Sequence, residues 1–566
     1  MRIVGFDWVW PSLPGVEITL TEVETNVAVR TVLSDANGNF EIPDLKPGLY
    51  RLKADLAGFK AFLADAVRLD GVQTRRIDVT LEVGTTAETV TVEAGAAVIT
   101  TDTGTIGGGV DKRQFADTPL IDVYPSPFAV LTTVPGIQGN GWDMVISGQG
   151  RTQYSQAMDG MENDRTGEQS NNMNFFEEVQ VATVNASAEN SRIAAYSMTS
   201  KRGQSQFHGT VYYKHFNSGL NSRLFFDTRK TPFIQHEFQA EASGPIFKDK
   251  TFFYAAWMEQ RIPLGFFKLA SVPTLKMRQG DFSQFSNRII DPLTGQQFPG
   301  NVIPASRINA VSAKAQELYF PAPNLGTSDT LTNNYGWTHP FHYDFFQGDW
   351  PFVRIDHNLS AKNTIYARWI QRKTPYVLDS GLPTFIWTRL RDHRQTVISD
   401  THLFSNNSVN TVRVGWNSNY IIDGDEQAGT KPIFGDEAVK ALGLQGVNQG
   451  NYHAQGFPRM IIDGVTTLST TAGGIRNDDR DFSYEDAFTW AKSRHVWKFG
   501  GEFKTFRQFS GVIDNATYGD FTFNGRITSN GPNTGIGYAD FLLGVPFSAA
   551  RLDPLTNRTQ TNKELG

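Results

Sequence analysis

The chain of 566 residues contains no cysteine. Disulfides, cysteine-based zinc sites and thiol nucleophiles are therefore excluded together. The sequence also lacks any apolar run near the ~20 residues that a membrane-spanning helix needs. No secretory signal is visible at its start, because Asp7 interrupts a short apolar stretch and no cleavage site follows.

Basic charge and enzyme motifs are scarce as well. The formal net charge is −6, which speaks against a nucleic-acid partner. Neither a G-x-S-x-G elbow nor a G-x-x-x-x-G-K loop is present. The nearest zinc-protease pattern is His236-Glu237-Phe238-Gln239-Ala240, where Ala240 replaces the second histidine. We therefore expect no enzymatic activity, no cofactor and no bound metal.

Aromatic residues are abundant. They make up 12% of the chain, with 41 Phe and 11 Trp, although the mean hydropathy is only −0.34. Many aromatics in a polar chain are typical of a membrane barrel, in which lipid-facing and lumen-facing residues alternate. A large secreted β-protein could have the same composition, so composition alone leaves both classes open.

Residues 15–83 alternate between apolar and polar side chains. Ile18 and Leu20 share one face of a segment, and this period of two is typical of half-buried strands. Turns rich in Gly, Pro, Asp and Asn separate the segments at 35–39 and 43–48. The pattern predicts a small β-sandwich of about seven strands.

The chain after residue 206 contains longer amphipathic strands joined by links of two kinds. We predict strands near 207–216, 233–243, 251–261, 351–359, 364–373, 395–404, 408–419, 481–491 and 495–507. Short links alternate with long ones at 262–349, 374–394 and 420–480. Short turns at one end and long loops at the other are a trait of bacterial outer-membrane barrels.

Side-chain alternation in these strands predicts which face meets lipid. Val412, Val414 and Trp416 lie opposite Arg413, and Trp497 and Phe499 lie opposite charged neighbours. We predict that the apolar faces meet lipid. The lumen-facing residues would be Arg368, Arg413, Lys498 and Glu502. A soluble sheet with its apolar face inward would show the same alternation. The sorting of short and long loops is what distinguishes a membrane barrel from such a sheet.

Several motifs, taken in their order, resemble one known family. They are Ser34-Asp35-Ala36-Asn37-Gly38-Asn39-Phe40, Ser147-Gly148-Gln149-Gly150, Asp159-Gly160, Thr199-Ser200-Lys201-Arg202-Gly203, Gly244-Pro245-Ile246-Phe247 and Asp291-Pro292-Leu293-Thr294-Gly295. The chain resembles TonB-dependent outer-membrane receptors of the Oar-like group, which carry an N-terminal carboxypeptidase-regulatory-like domain.

The resemblance implies a mainly β protein in four parts. These are a β-sandwich over 1–84, a linker with a TonB box over 85–96, an α+β plug over 97–205, and part of an antiparallel transmembrane barrel over 206–566. It implies residence in the bacterial outer membrane, in contact with its lipid. The N-terminal domain and the plug would lie on the periplasmic side.

The resemblance also places a TonB box before the plug. Its residues would be Glu88, Thr89, Val90, Thr91 and Val92, which would pair with a TonB-type energy-coupling protein by adding a strand edge to edge. In the alternative interpretation, Val90 and Val92 simply end the sandwich.

Charged residues of the plug region are expected to contact the barrel. Asp159 and its neighbours lack the spacing of a calcium-binding loop. We expect Asp159 to contact the barrel or solvent, and we expect Arg151 and Arg165 to pair with carboxylates that line the lumen.

The function that the resemblance implies is binding and import of an extracellular ligand, of carbohydrate or peptide class, with energy relayed by TonB. Two other functions stay open. One is a structural or adhesive outer-membrane protein without transport, and the other is a soluble glycan-binding protein of several β-domains.

The sequence is expected to be a fragment. A strand that often precedes the Pro14-Gly15 turn in such modules is expected to be missing, together with the true N-terminus. About nine or ten barrel strands precede Gly566, whereas plugged transporters use about 22. We therefore expect an open sheet with one edge near Phe207 and the other near Arg551.

Overall fold

The structure is a computed structural model. It describes residues 2–5, 13–43, 45–46, 48–69, 74–84, 89–93, 106–117, 130–139, 144–150, 153–162, 173–186, 192–220, 222, 233–263, 266–339, 348–378, 381–427, 432–433, 435–447, 456–470, 476–492, 495–511, 516, 518–552 and 558–565. Within these ranges, no helix is both long enough and apolar enough to cross a membrane.

Two sheets near the N-terminus form the predicted sandwich. Its strands are β1 (Arg2–Gly5), β2 (Glu17–Glu22), β3 (Val27–Leu33), β4 (Phe40–Pro43), β5 (Gly48–Asp55), β6 (Ala61–Leu69), β7 (Thr74–Arg76) and β8 (Thr89–Glu93). One sheet has the order β3-β2-β5-β6-β8 and the other the order β4-β1-β7. Ile18, Leu20 and Leu52 lie in their common core, as the alternation predicts.

Strand β1 corrects one expectation. A strand upstream of the Pro14-Gly15 turn was expected to be missing, but β1 is that strand. It pairs antiparallel with β4 and parallel with β7. Because it lies between these two strands, it supplies the backbone partners that join them into one sheet.

Strand β8 covers four of the five TonB-box residues, whereas Glu88 lies outside the described residues. β8 pairs parallel with β6, with Phe62 opposite Val90 and Ala64 opposite Val92. The structure therefore has the arrangement of the alternative interpretation, in which this segment ends the sandwich. It is nevertheless the last strand of its sheet, so the role of the TonB box stays a prediction.

A small α+β domain follows, which we call the plug domain. Its five-stranded sheet has the order β13-β12-β15-β14-β9. The elements are β9 (Ile106–Asp111), α1 (Lys112–Asp117), β10 (Ile137–Gln138), β11 (Val145–Ile146), β12 (Ser155–Met158), β13 (Met161–Glu162), a 3-10 turn (Met173–Phe175), β14 (Phe176–Val184) and β15 (Ala195–Ser200). Val179 and Val181 of β14 are buried in the core of this domain.

Among the described residues, ten antiparallel strands form the largest sheet. They are β16 (His208–Asn217), β17 (Ile234–Phe247), β18 (Thr251–Arg261), β21 (Gly348–Ser360), β22 (Asn363–Leu378), β23 (Trp387–Ser405), β24 (Ser408–Gln427), β26 (Arg476–Lys492), β27 (His495–Gly511) and β30 (Arg558–Leu565). They pair in this order, each with the next. All nine predicted strands are confirmed, and β30 is a tenth.

The strands are longer than predicted. β23 has 19 residues and β24 has 20, whereas a tilted strand crosses a bilayer with about 9–11. The link predicted at 374–394 is correspondingly short, because β22 continues to Leu378 and β23 begins at Trp387. The additional residues of β23 and β24 lie at the long-loop end of the sheet, so these two strands extend beyond the thickness of a bilayer.

The sheet is open among the described residues. Strands β16 and β30 are its two ends and do not pair with each other, as expected. The second edge is β30 rather than a segment near Arg551. The residues just before Arg551 form β29 (Ser548–Ala550), which pairs with another small sheet.

The long loops fold together into what we call the loop layer. Its elements are β19 (Phe266–Ala270), α2 (Leu275–Arg278), α3 (Ala310–Tyr319), β20 (Tyr335–His339), α4 (Gly435–Leu442), β25 (Arg459–Ile462), β28 (Asp520–Phe523), α5 (Gly537–Leu543) and β29. They share one apolar core that includes Phe282, Tyr319, Leu382, Leu468 and Tyr538. Loops that are far apart in sequence therefore behave as one packed unit.

The motif Asp291-Pro292-Leu293-Thr294-Gly295 forms an ion pair with Arg307 within this layer. Both terminal nitrogens of Arg307 donate to the Asp291 carboxylate, at 3.0 and 2.9 Å. The Asp291 side chain also accepts from the backbone N–H of Leu293 at 3.0 Å. Gly295 completes the turn at φ 72°, where glycine is favoured. The helix that follows, α3, is capped by Asn309, whose side chain accepts from the backbone N–H of Val311 at 2.8 Å.

We predict that replacing Asp291 weakens the loop layer only when the carboxylate would be charged. The hydrogen bond from Arg307 lowers the pKa of Asp291. The stabilisation is therefore present above the unfolded-state pKa and is lost as pH falls through the lowered value. Asp291→Asn should lower the midpoint of thermal unfolding, followed by near-ultraviolet circular dichroism, at pH 7. If the variant and the unchanged protein differ in unfolding midpoint by the same amount at pH 7 and at strongly acidic pH, the stabilisation does not come from the charged carboxylate.

A second prediction concerns the outer face of the large sheet. Val414 is 38% exposed, whereas Gly415 approaches the plug domain. Trp497 and Phe499 are 51% and 57% exposed. Since the chain has no cysteine, single spin labels can be placed without background. In bilayers, a label at Val414→Cys should be accessible to oxygen, and one at Arg413→Cys should be shielded. The reverse pattern would invert the facing assignment.

Candidate functional site

The plug domain lies within the curve of the large sheet. Described plug residues contact nine of its ten strands. Asn174 contacts Tyr212 of β16, Lys201 contacts Glu241 of β17, Phe175 contacts Phe352 of β21, Asp159 contacts Tyr366 and Arg368 of β22, Met161 contacts Val397 of β23 and Gly415 of β24, Glu162 contacts Glu485 of β26 and Lys504 of β27, and the apolar plug core includes Tyr254 of β18. A sheet that touches one small domain along so many strands must wrap around it.

A tight turn carries the central plug residue. Asp159 and Gly160 join β12 to β13 with φ values of 52° and 81°. Positive φ at both central residues is what the two-residue hairpin turn requires, and an Asp-Gly pair is favoured there. A Cβ added to Gly160 would lie 2.8 Å from the Arg413 guanidinium carbon. The turn therefore presses directly against the sheet.

The Asp159 carboxylate is buried and surrounded by donors. Its Oδ1 accepts from the Ser200 N–H at 2.8 Å and from the Ser200 hydroxyl at 3.0 Å. Arg354 Nη1 lies 3.4 Å from the same oxygen. Arg368 Nε lies 2.8 Å from Oδ2, but its N–H points away from the oxygen, so this contact is an ion pair rather than an aligned hydrogen bond.

Arg354 and Arg368 are also held by other side chains of the large sheet. Arg354 donates to both oxygens of Asp356 at 2.8 Å and stacks over the Tyr366 ring at 4.2 Å. Arg368 donates to Gln395 Oε1 at 2.6 Å. The Tyr366 hydroxyl donates to the Asp159 backbone carbonyl at 3.1 Å. The sheet thus presents an organised cationic pocket to a single carboxylate.

Two further ionic contacts surround this pocket. Lys504 lies 2.6 Å from Glu162 and 2.8 Å from Glu502. Lys201 lies 2.9 Å from Glu241, which also accepts from the Tyr254 hydroxyl at 2.7 Å. These contacts reach two different strands of the sheet, β17 and β27. They therefore restrain both the rotation of the plug domain and its position along the strands.

The predicted site residues are not all brought together. Arg368 and Arg413 lie against the Asp159-Gly160 turn. Glu502 shares Lys504 with Glu162 of the following strand, β13. Lys498 is exposed near a short turn and lies apart from this cluster. Arg151 and Arg165 lie outside the described residues.

Sequence reasoning missed Arg354 and Tyr366. The alternation rule could have found Arg354, because its neighbours Val353 and Ile355 are each 39% exposed on the opposite face. Tyr366 could not be found in this way, since an aromatic residue is equally acceptable on the lipid side. No sequence pattern pointed to Ser200, because its contact with the Asp159 carboxylate joins residues that are far apart in the chain.

A belt of polar side chains lies on the same inner face, nearer the long loops. Arg372, His393, Asn419 and Asp479 stand in register across β22, β23, β24 and β26. Gln395, Asn417 and Asp481 form the next row towards the plug domain. All seven side chains are buried, and Arg372 stacks over the ring of Trp350 at 5.3 Å.

Several belt oxygens have unused hydrogen-bonding capacity. Within the described part of the chain, no donor reaches Oδ1 of Asn417, Oδ1 of Asn419 or Oδ1 of Asp479. Buried acceptors of this kind are costly unless water or a ligand satisfies them. The belt therefore has the chemistry of a polar binding surface, although no group of three or more His, Asp or Glu in the described ranges could hold a metal.

The sandwich docks at the other end of the sheet, beside the short turns. Arg202, just after β15, forms a buried ion pair with Glu22. The Ser205 N–H and hydroxyl both donate to the Glu24 carbonyl at 3.0 Å. Lys46 lies 3.7 Å from Asp356, which itself binds Arg354. One chain of charges therefore links the sandwich, the sheet and the plug domain.

Two families of known proteins match this chain. Residues 199–566 match the family described as "Outer membrane beta barrel domain", and residues 11–82 match "Carboxypeptidase regulatory-like domain". The first match covers more than half of the chain, which therefore belongs to the outer-membrane β-barrel family. It is a protein of the bacterial outer membrane, and the predicted fold class is confirmed.

Among individual proteins, the chain is similar to the TonB-dependent transporter Oar of Myxococcus xanthus. The two are 24% identical over 266 residues, which are 43% of this chain and 25% of Oar. The outer-membrane transporter YddB of Escherichia coli has a TM-score of 0.44 at 10% identity, over 74% of this chain and 50% of that one. The siderophore receptor PiuA of Acinetobacter baumannii has a TM-score of 0.37 at 12% identity, over 82% and 53%. The chain spans about half the length of these solved transporters.

We predict that the Asp159 contact dominates the attachment of the plug domain. Asp159→Ala would leave Arg354 and Arg368 buried without their shared carboxylate, and breaking a buried pair in this way costs about 3–5 kcal/mol. Urea unfolding of the detergent-solubilised protein measures the loss. Asp329→Ala, which removes an exposed pair with Lys276, is the control and should change stability by less than ~1 kcal/mol. Similar losses in the two variants would refute the assignment.

Proposed function

We propose that the protein is a TonB-dependent receptor that binds an extracellular solute and imports it with energy relayed by a TonB-type protein. The observation that carries the proposal is a plug domain held inside an outer-membrane sheet by a buried charge cluster around Asp159. A structural barrel gains nothing from filling its interior with a separate domain. The similarity to Oar, which is itself described as a TonB-dependent transporter, supports the same function.

The short turns and long loops at opposite ends of the large sheet support one orientation of the protein in the outer membrane. Bacterial barrels have short periplasmic turns and long extracellular loops. The sandwich contacts the sheet at Asp356, close to the short turn after Ser360, so the sandwich and the start of the plug domain belong in the periplasm. The loop layer belongs outside the cell, where a solute arrives.

The polar belt is the proposed solute-binding surface. It lies between the Asp159 cluster and the loop layer, and it offers amide, carboxylate, imidazole and guanidinium groups side by side. Such groups bind hydroxyl-rich or amide-rich molecules by hydrogen bonds, whereas an apolar solute would leave them unsatisfied. A carbohydrate or a peptide therefore fits the belt better than an apolar compound.

Energy coupling would use β8. The strand stands between the sandwich and the plug domain in sequence, and it lies at the edge of its sheet. An edge strand offers its backbone to an incoming strand and needs little from its side chains. This location is the one that a partner in the periplasm can reach.

Medium depletion tests the function for many candidate solutes at once. A strain with the intact gene and a deletion strain are grown in a defined mixture of oligosaccharides and peptides. Compounds removed only by the first strain, and only while the proton gradient is maintained, are imported solutes. Surface attachment without any selective depletion would instead favour the adhesive function.

We predict that the backbone of β8, rather than its side chains, is needed for coupling. In the full-length receptor, Val90→Pro removes a backbone donor and fixes φ, so it should abolish energised depletion of the imported compounds. Val90→Ala keeps the backbone and should retain depletion. Binding of these compounds to isolated outer membranes should be unchanged in both variants. Normal depletion by the proline variant would exclude β8 as the coupling segment.

A further inference from the structure

We propose that the coupling partner pairs with the edge of β8 while β8 remains part of the sandwich. Force would then enter the receptor through the N-terminal domain. A strand of the TonB-type protein would become the sixth strand of the sheet β3-β2-β5-β6-β8. This inference rests on the proposed function and concerns how its coupling segment is used.

The first argument is the pairing of β8. Its five residues pair in unbroken register with Ala61–Asp65 of β6, so one backbone edge of β8 is occupied. Its other edge meets no strand among the described residues. Pulling β8 out of the sandwich would break an existing ladder, whereas adding a strand to its outer edge breaks none. Addition in place is therefore the less costly route.

The second argument is the attachment of the sandwich to the plug domain. Arg68 of β6 lies 2.9 Å from Asp111, which ends the first strand of the plug domain. The Arg202–Glu22 ion pair, with both side chains only 9% exposed, joins the sandwich to the segment after the last plug strand. Force applied to the sandwich therefore reaches both ends of the plug domain.

The chemistry of the partner follows from the edge. The strand Thr89–Glu93 alternates Thr with Val and ends on an acidic residue. A strand edge of this sequence fits an extended segment that carries a basic residue. The periplasmic domain of the TonB-type protein is the one occupant proposed, and a second copy of this chain is an outcome of the test.

A reversible crosslink between β6 and β8 tests the proposal. Leu63 stands opposite Thr91 in the register and is only partly buried. Leu63→Cys with Thr91→Cys introduces the only two thiols of the chain. A short bis-methanethiosulfonate reagent closes the pair, and a reductant opens it again. The two single-cysteine variants are the controls for the substitutions themselves.

The measurement is binding of the purified periplasmic domain of the TonB-type protein from the same bacterium to the full-length receptor in nanodiscs. If β8 is used in place, the crosslinked receptor should bind within about twofold of its reduced form. A loss of about tenfold or more, reversed by the reductant, would show that β8 must leave the sandwich. Failure of the crosslink to form in the folded receptor would also overturn the proposal.

The controls separate this inference from the function on which it rests. If no form of the receptor binds the periplasmic domain, energy coupling through this chain fails and both proposals fall. If only the crosslinked form fails to bind, addition in place alone is wrong. If crosslinked receptors instead bind one another, the outer edge of β8 is a self-association surface and the proposed occupant is wrong.

Discussion

The rest of the structure depends on a buried carboxylate. Asp159 cannot keep its charge inside the sheet unless cations meet it there, because burying an unmatched charge is far more costly than any single apolar contact is favourable. The two cations come from neighbouring strands, Arg354 from β21 and Arg368 from β22. Apolar packing such as that of Phe175 on Phe352 tolerates small shifts. The charge cluster permits one position, and so defines where the plug domain stands.

This constraint explains features that would otherwise look unrelated. The Asp-Gly turn must be tight to carry the carboxylate between two arginines. The side chain of Met161 approaches Gly415 closely, so that an added Cβ would lie 2.5 Å from the methionine methyl carbon. Between the plug domain and the first strand of the large sheet, a Cβ added to Gly203 would lie 2.5 Å from the Phe253 backbone nitrogen. Small residues therefore stand where the two parts approach most closely, while the opposite face of each strand is free to be apolar.

The sandwich extends the same network to the periplasmic end. Lys46 approaches Asp356, which binds the arginine that reaches Asp159. A displacement of the Asp159 turn would therefore disturb the seat of the sandwich, and a displacement of the sandwich would disturb the turn. At the long-loop end of the sheet, the loop layer has an apolar core of its own.

The sequence by itself determined the strands of the large sheet, their facing and the class of the chain. Alternation with a period of two is a local property, and it is preserved whichever strands become neighbours. It also identified Arg368 and Arg413 as inward-facing. Only the tertiary structure decided that both reach the Asp159-Gly160 turn, that β8 pairs with the sandwich, and that the long loops share one core. These contacts join residues far apart in the chain, and the pairing of such residues depends on the three-dimensional path that brings them together rather than on any pattern within a single segment.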